Sequence, residues 1–146
     1  MIRPAERKDV LRIWSLIGEL ADYERLAEFV TGNAEALERH IFDDRYCTVF
    51  VCEVEGEVVG YTLSFPIYST FRTLPCVWLE DIYVTPSFRG RGFGKALLTN
   101  LIEYCRAHGF GRLDWSVLSW NEPSIQFYQS MGAEVMPDWR ICRIAF

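Results

Sequence analysis

The segment Arg89-Gly90-Arg91-Gly92-Phe93-Gly94 has the residue types and spacing of an anion cradle. Three alternating glycines let successive backbone N–H groups turn into one concavity without Cβ clashes. Leu97, Leu98, Leu101, Ile102 and Cys105 follow at helical spacing, so the cradle opens a predicted helix. The partial positive charge of a helix N-terminus draws an anion to the same place. Arg89 and Arg91 add full charges, and together these groups make a pyrophosphate site. Two other phosphate motifs fail the test. A Walker A loop needs glycine where Arg89 stands, five residues before Gly94, and Ser or Thr where Ala96 follows Lys95. A dinucleotide fingerprint needs glycine at Lys95. A plain Gly-rich connector between strand and helix is the other reading of these six residues.

The second group of interest is a pair of carboxylates. Val77-Trp-Leu-Glu-Asp-Ile-Tyr-Val84 reads as a long apolar strand that carries Glu80 and Asp81. Alternation sends adjacent strand side chains to opposite faces, so one carboxylate would meet a cleft and the other a helix or solvent. Charges in such a strand need a reason. They hold a cation or take a proton, or they are solvated or ion-paired with Arg89 or Arg91. Tyr23 and Glu24 fall in an aperiodic stretch, Asp22 to Val30, and by themselves read as solvated loop residues. Trp14, Trp78 and Phe127 sit at helix or strand spacing and read as core.

The five cysteines, Cys47, Cys52, Cys76, Cys105 and Cys142, form no C-x-x-C pair, and only two histidines, His40 and His108, accompany them. That inventory argues against a zinc site, and no metal is expected. The cysteines read as small buried hydrophobes of a reducing compartment. Both histidines fall near predicted helix C-termini, where they favour the dipole.

The elements that must position these groups follow from periodicity. With 146 residues, half of them hydrophobic, one domain spanning 1–146 is expected. The net charge of -5 argues against nucleic acid and leans toward a cationic partner. No charged leader precedes an apolar stretch and no run suits a bilayer, so no membrane partner and a cytoplasmic location are expected. An amphipathic helix is predicted over Lys8 to Leu20 and a second one, capped by Thr31, to about Phe42. Thr48 to Val54 and Val58 to Phe65 form a hairpin around Glu55-Gly56, with Pro66 at its end. After the strand to Val84 and the helix closed by His108-Gly109 come a strand from Leu113 to Leu118, a helix from Asn121 to about Met131, and a last strand from Ile141 to Phe146. The order β-α-α-β-β-β-α-β-α-β is that of an α/β sheet with helices on its faces.

The pattern R-x-x-G-x-G, here Arg89 to Gly94, resembles the acetyl-CoA pyrophosphate loop of the GNAT superfamily of N-acetyltransferases. Gly18-Glu-Leu-Ala-Asp-Tyr-Glu24, Leu79-Glu-Asp-Ile-Tyr-Val84 and Trp120-Asn-Glu-Pro-Ser-Ile-Gln-Phe-Tyr128 resemble segments of its diamine (spermidine/spermine) and thialysine acetyltransferase branch. Their order and spacing agree from Ile2 to about Trp139. The resemblance implies the GNAT fold, a mixed, mostly antiparallel sheet with helices on both faces. It also implies direct acetyl transfer from acetyl-CoA to a primary amine of a small cation by a homodimer. Residue by residue, it implies that Ile82, Tyr83 and Val84 meet the pantetheine arm. Arg89, Gly90, Arg91, Gly92, Phe93, Gly94 and Lys95 would hold the pyrophosphate, and Asn121, Glu122, Pro123 and Ser124 would line the cofactor. Tyr128 would stand by the sulfur as general acid, and Glu80, on the central strand beside the acetyl site so implied, is the best-placed base. Tyr23, Glu24, Glu80, Asp81, Asp114, Trp115 and Ser116 would contact the amine. Family members carry a carboxylate just before the tryptophan that matches Trp139, and here Asp138 takes that part in a shifted register. Another amine acceptor (a peptide N-terminus, an amino acid, an aminoglycoside) is the first alternative. A non-catalytic acyl-CoA-binding module is the second, and the presence of Glu80 and Tyr128 speaks against it.

Overall fold

A computed structural model describes residues 1–146. The chain forms two compact units, Met1–Ser116 and Val117–Phe146. The first contains β1 (Ile2–Pro4), α1 (Val10–Tyr23), α2 (Ala34–Phe42), β2 (Thr48–Val54), β3 (Glu57–Ser69), β4 (Leu74–Val84), α3 (Phe93–Ala107) and β5 (Leu113–Asp114). The strands lie in the order β1-β2-β3-β4-β5. All neighbours are antiparallel except β4 and β5, which run parallel. The β2–β3 turn places Glu55 at φ 51° and Gly56 at φ 82°. Two successive left-handed residues match the twist of the flanking strands, which is why a turn of this kind joins them.

Strand alternation divides the core. Val49, Val51, Tyr61 and Tyr83 pack on one face with Ile13 and Leu16 of α1 and Ile41 of α2. Cys52, Val59 and Val84 pack on the other with Leu97 of α3. The amphipathic stripes of the helices therefore cover both faces of the sheet. Arg3 of β1 ties the start of α1 to β2. Its guanidinium donates to both oxygens of the buried Asp9 at 2.7 and 3.0 Å and to Glu53 at 2.6 Å. The Arg3 hydrogen bonds hold the Asp9 carboxyl below its usual range against the opposing cost of burial.

Several boundaries differ from the sequence expectation. Asn33, not Thr31, caps α2, its side chain accepting from the Ala36 N–H at 2.8 Å. The stretch read as a loop holds the end of α1, through Tyr23, and a 3-10 turn, Ala27–Phe29. β3 runs past Pro66 to Ser69, because β2 has no partner for β3 beyond Ser64 and a missing N–H on that side interrupts no ladder. β5 is only two residues long. Cys142 is exposed and is not a core cysteine, and Trp14, Trp78 and Phe127 are half-buried.

The second unit holds α4 (Glu122–Ser130), with Asn121 at its N-cap and Gly132 at φ 90° just beyond its end. The strand expected from Ile141 to Phe146 does not form, and Ile141, Ile144 and Phe146 are exposed. β-propensity describes fit to a neighbouring pleated surface, so a run of β-formers becomes a strand only where it finds an edge to pair with.

Among the glycines, Gly60 has the least room. A Cβ there would lie 2.6 Å from the Tyr83 carbonyl oxygen and 3.0 Å from the Val84 side chain. Gly60→Ala must push β4 away from β3. It is expected to lower stability by about 1–3 kcal/mol, seen as a lower urea midpoint at unchanged m-value. An unshifted midpoint would mean that the two strands separate without cost.

Candidate active site

The predicted cradle forms between β4 and α3. A 3-10 turn, Pro86–Phe88, follows β4, and Gly90 and Gly92 take φ 74° and 84°. A Cβ at either would meet nothing within 4 Å, so glycine is required here by the backbone angle and not by space. Gly92 is the N-cap of α3, and its carbonyl accepts from Ala96 N–H at 2.9 Å. The N–H groups of Phe93, Gly94 and Lys95 belong to the first turn of α3, which has no preceding carbonyls to bond. Arg91 and Lys95 are exposed at the rim, the Arg91 guanidinium 5.1 Å from the Phe88 ring.

Arg89 has a different position from the one the motif suggested. Its Nε donates to the Val84 carbonyl at 2.9 Å, and its guanidinium packs over the rings of Tyr23 (4.9 Å) and Tyr83 (5.2 Å). The side chain thus braces the loop against the end of α1, and backbone N–H groups with Arg91 and Lys95 remain for an anion. β5 pairs with β4 only at Val77 and Trp78, so no strand covers that edge of β4 along Ile82, Tyr83 and Val84. A nest, a cationic rim and an open strand edge fit a pyrophosphate ester that carries an extended amide-bearing arm.

The carboxylates meet at a β-bulge. In the β3–β4 register Leu63 faces Asp81 and Ser64 faces Leu79, which leaves Glu80 unopposed. A bulge breaks alternation, so the expectation that Glu80 and Asp81 part to opposite faces is not met. The charge of Glu80 raises both the Glu24 and the Asp81 carboxyls, and Glu24 raises Asp81 too, so the three share one neighbourhood. Glu80 is exposed, and its Oε2 accepts from Trp78 Nε1 at 2.9 Å. Asp81 is shielded, and its Oδ2 accepts the Tyr61 hydroxyl at 2.8 Å. Burial, opposed by that hydrogen bond, pushes the Asp81 carboxyl up to about 6. Burial is also the main cause that raises Glu24, which stands just past the end of α1. Tyr61 is fully buried, and its hydroxyl is raised far above the usual phenol range by burial and by the Asp81 charge.

Tyr61 is the site residue that sequence reading missed. It lies in an ordinary apolar strand, and only the hairpin register brings its hydroxyl to a carboxylate 20 residues away. Asp114 faces Trp78 across β4–β5, and it is engaged by Arg112 Nε at 2.7 Å. Trp115 is half-buried and Ser116 exposed. In the second unit Glu122, Pro123 and Ser124 form the first turn of α4 after Asn121, and Tyr128 is half-buried with its ring 5.5 Å from that of Phe127. Asp138 and Trp139 are both exposed.

Comparison with known proteins agrees with this geometry. Residues 14–133 match the family model described as the Acetyltransferase (GNAT) family. The chain is 36% identical over 143 residues to the thialysine N-epsilon-acetyltransferase of Bos taurus, covering 92% of this chain and 84% of that protein. It is 29% identical over 189 residues to an L-ornithine N5-acetyltransferase of Arabidopsis thaliana, covering 98% and 83%. In fold alone, it is similar to the crystal structure of an aminoglycoside acetyltransferase from an uncultured soil metagenomic sample. That match has a TM-score of 0.82 at 20% identity and covers 99% of this chain and 96% of that one.

The raised Asp81 carboxyl has a consequence for stability. Its folded pKa of about 6 lies above the ordinary 3.8, so the folded protein holds this proton more tightly than the unfolded chain. The resulting stabilisation is complete below the ordinary value and is lost as pH rises through about 6. Asp81→Asn keeps an acceptor for Tyr61 and removes the charge. It should flatten the pH–stability curve across that window and raise stability at neutral pH by on the order of 1–3 kcal/mol. Urea titrations at a series of pH values read this directly, and parallel curves for the two proteins would mean a solvated carboxyl.

Proposed function

The chain belongs to the GNAT acetyltransferase family, and on that premise we propose that it transfers acetyl from acetyl-CoA to a primary amine of a small cationic acceptor. The observation that carries this reading is the convergence of Glu24, Glu80 and Asp81 at the β4 bulge, on the strand that runs into the anion cradle. Carboxylates forced together gain most from a cation, and a charge-assisted contact contributes roughly 1.5–3 kcal/mol. The names of the two relatives above, one for thialysine and one for ornithine, both denote amino acids with a side-chain amine, in keeping with such an acceptor. The family resemblance carries a homodimer with it, and the scattered unpaired cysteines favour a reducing, cytoplasmic location. No helix is long and apolar enough to cross a membrane.

Acetyl-CoA supplies an acetyl group activated as a thioester. In this reading the nest of Gly90 to Lys95 holds its pyrophosphate and the backbone of Ile82 to Val84 its arm, and the family resemblance adds Asn121 to Ser124 as further cofactor residues. An alkylammonium, with a pKa of about 10.4, cannot attack until it loses a proton. A base is most effective with its own pKa near the working pH. Asp81, at about 6, suits that task better than Glu80, to which the sequence pattern gave it, and exposed Glu80 is left to hold the cation with Glu24. The amine nitrogen then bonds to the acetyl carbon, and its second proton passes to water as the C–S bond breaks. The departing sulfur takes a proton, and by the family resemblance its donor is the hydroxyl of Tyr128, which regains a proton from water.

The test is release of free thiol from acetyl-CoA against a panel of polyamines, diamines, thialysine, lysine, aminoglycosides and short peptides. Diamines and aminoalkyl amino acids should exceed neutral monoamines of equal length in kcat/KM. A win for peptide N-termini would overturn the small-cation assignment. Asp81→Asn should lower kcat/KM roughly a hundredfold near neutrality with partial recovery at higher pH, whereas Glu80→Gln should act mainly on KM. The reverse pattern returns the base to Glu80.

Tyr128→Phe deletes only a hydroxyl. Kcat should fall by roughly two orders of magnitude while acetyl-CoA affinity and melting temperature stay put. Normal kcat with lower stability would make that hydroxyl a structural partner.

A further inference from the structure

An open cavity of about 570 Å³ lies between α2 and β3, outside the machinery described so far. Building on the acetyl-transfer reading above, we propose that this cavity is the subsite for a carboxylate on the acceptor, with Arg45 as the residue that reads it. The preferred acceptors are then amino acids with a side-chain amine, and simple diamines or polyamines are disfavoured.

Position is the first argument. Leu63 lines the cavity and faces Asp81 across β3–β4 and Val49 across β2–β3. Directly opposed residues of an antiparallel pair share a face, so the cavity begins on the Asp81 side of the sheet, one strand away. Strands are about 4.8 Å apart, which puts its walls roughly 5–10 Å from Asp81. An extended chain from a side-chain amine to the α-carboxylate of ornithine or lysine covers roughly 6–8 Å, with bonds of about 1.5 Å. Leu37, Leu63 and Phe65 offer apolar surface for the methylenes, and the His40 and Tyr46 rings, edge-on at 5.4 Å, close one wall.

Charge is the second argument. Arg45 lines the cavity and follows two acids that are already engaged: Asp43 pairs with Arg7 and Asp44 with Arg39. Its charge is therefore left for something else, in a chain whose net charge is -5. A guanidinium presents a planar fork that matches a carboxylate with two hydrogen bonds. The same charge repels the second ammonium of a diamine, so one residue both attracts the amino acid and rejects its decarboxylated form.

Backbone conformation is the third. Arg45 stands at φ 55°, in the turn after α2 where Tyr46 N–H bonds to the His40 carbonyl at 2.9 Å. Glycine adopts this angle at no steric cost, and a residue with a long side chain does not. An arginine here forgoes that advantage and gains a cation at the mouth of the cavity.

The experiment compares acceptors that differ only in the carboxylate: ornithine against 1,4-diaminobutane, and lysine against 1,5-diaminopentane. The wild type should favour the amino acid of each pair at least tenfold in kcat/KM. Arg45→Ala should bring the ratio near one by raising KM for the amino acid, with kcat unchanged and the diamine unaffected or improved. Arg45→Gly, which suits the left-handed backbone, should do the same, and Arg45→Lys should keep part of the preference. A wild type that prefers the diamines, or a ratio that survives both truncations, overturns the assignment. Acetylation of the amines without regard to the carboxylate sinks this proposal and leaves acetyl transfer standing. Thiol release with none of them sinks both.

Discussion

One unopposed residue in β4 is the constraint on which the site depends. Because Glu80 has no partner across β3–β4, the strand bends there and alternation fails for one step. Glu80 and Asp81 can then both approach Glu24 from the end of α1. The same strand loses its β5 neighbour after Trp78, so its remaining edge is free of any ladder as it runs toward the Gly-rich loop. A single strand thus carries a shielded carboxylate on one face, open backbone along an edge, and a Gly-rich nest at its end. A regular, fully paired strand would supply none of the first two.

The carboxylate cluster is held at an electrostatic cost, and the direction of the shifts says which effects win. Tyr61 donates to Asp81 at 2.8 Å, which favours the charged carboxylate. Even so Asp81 ends near 6, because burial and the charges of Glu80 and Glu24 outweigh that hydrogen bond. A carboxyl that titrates near 6 is mostly ionised at neutral pH and yet close enough to it for proton transfer. Asp9 is the counterexample in the same molecule. It too is buried, but the two-pronged contact with Arg3 wins over burial and drives its pKa down, as befits a structural anchor between β1 and α1.

The arginines divide by the company they keep. Arg3 is consumed in holding the fold, and Arg89 in bracing the cradle against Tyr23 and Tyr83. The Arg89 contact also joins the residue before Glu24 to the first residue of the Gly-rich loop, so the proposed acceptor and cofactor sides share a rigid element. Arg91 lies at the rim of the nest, and Arg45 at the mouth of a separate cavity. Identical side chains serve as strut or as ligand according to whether the fold has already supplied an aromatic face or a carboxylate.

What the sequence by itself determined is local in origin. Gly90 and Gly92 adopt left-handed angles that only glycine takes freely. The stripe of Leu97, Leu98, Leu101 and Cys105 is buried as its spacing demanded, and Glu55-Gly56 turns the hairpin. These features depend on backbone freedom and periodicity within a few residues, and the family motif rests on them. The register of β3 against β4 depends on contacts between residues about 20 apart, and no local preference encodes it. That register alone decided that Asp81 rather than Glu80 is shielded, that Tyr61 reaches it, and that Leu63 leads from it toward Arg45. For the same reason Ile141 to Phe146, rich in β-formers, forms no strand, since a strand is a relation between two segments and its stability resides in the pairing.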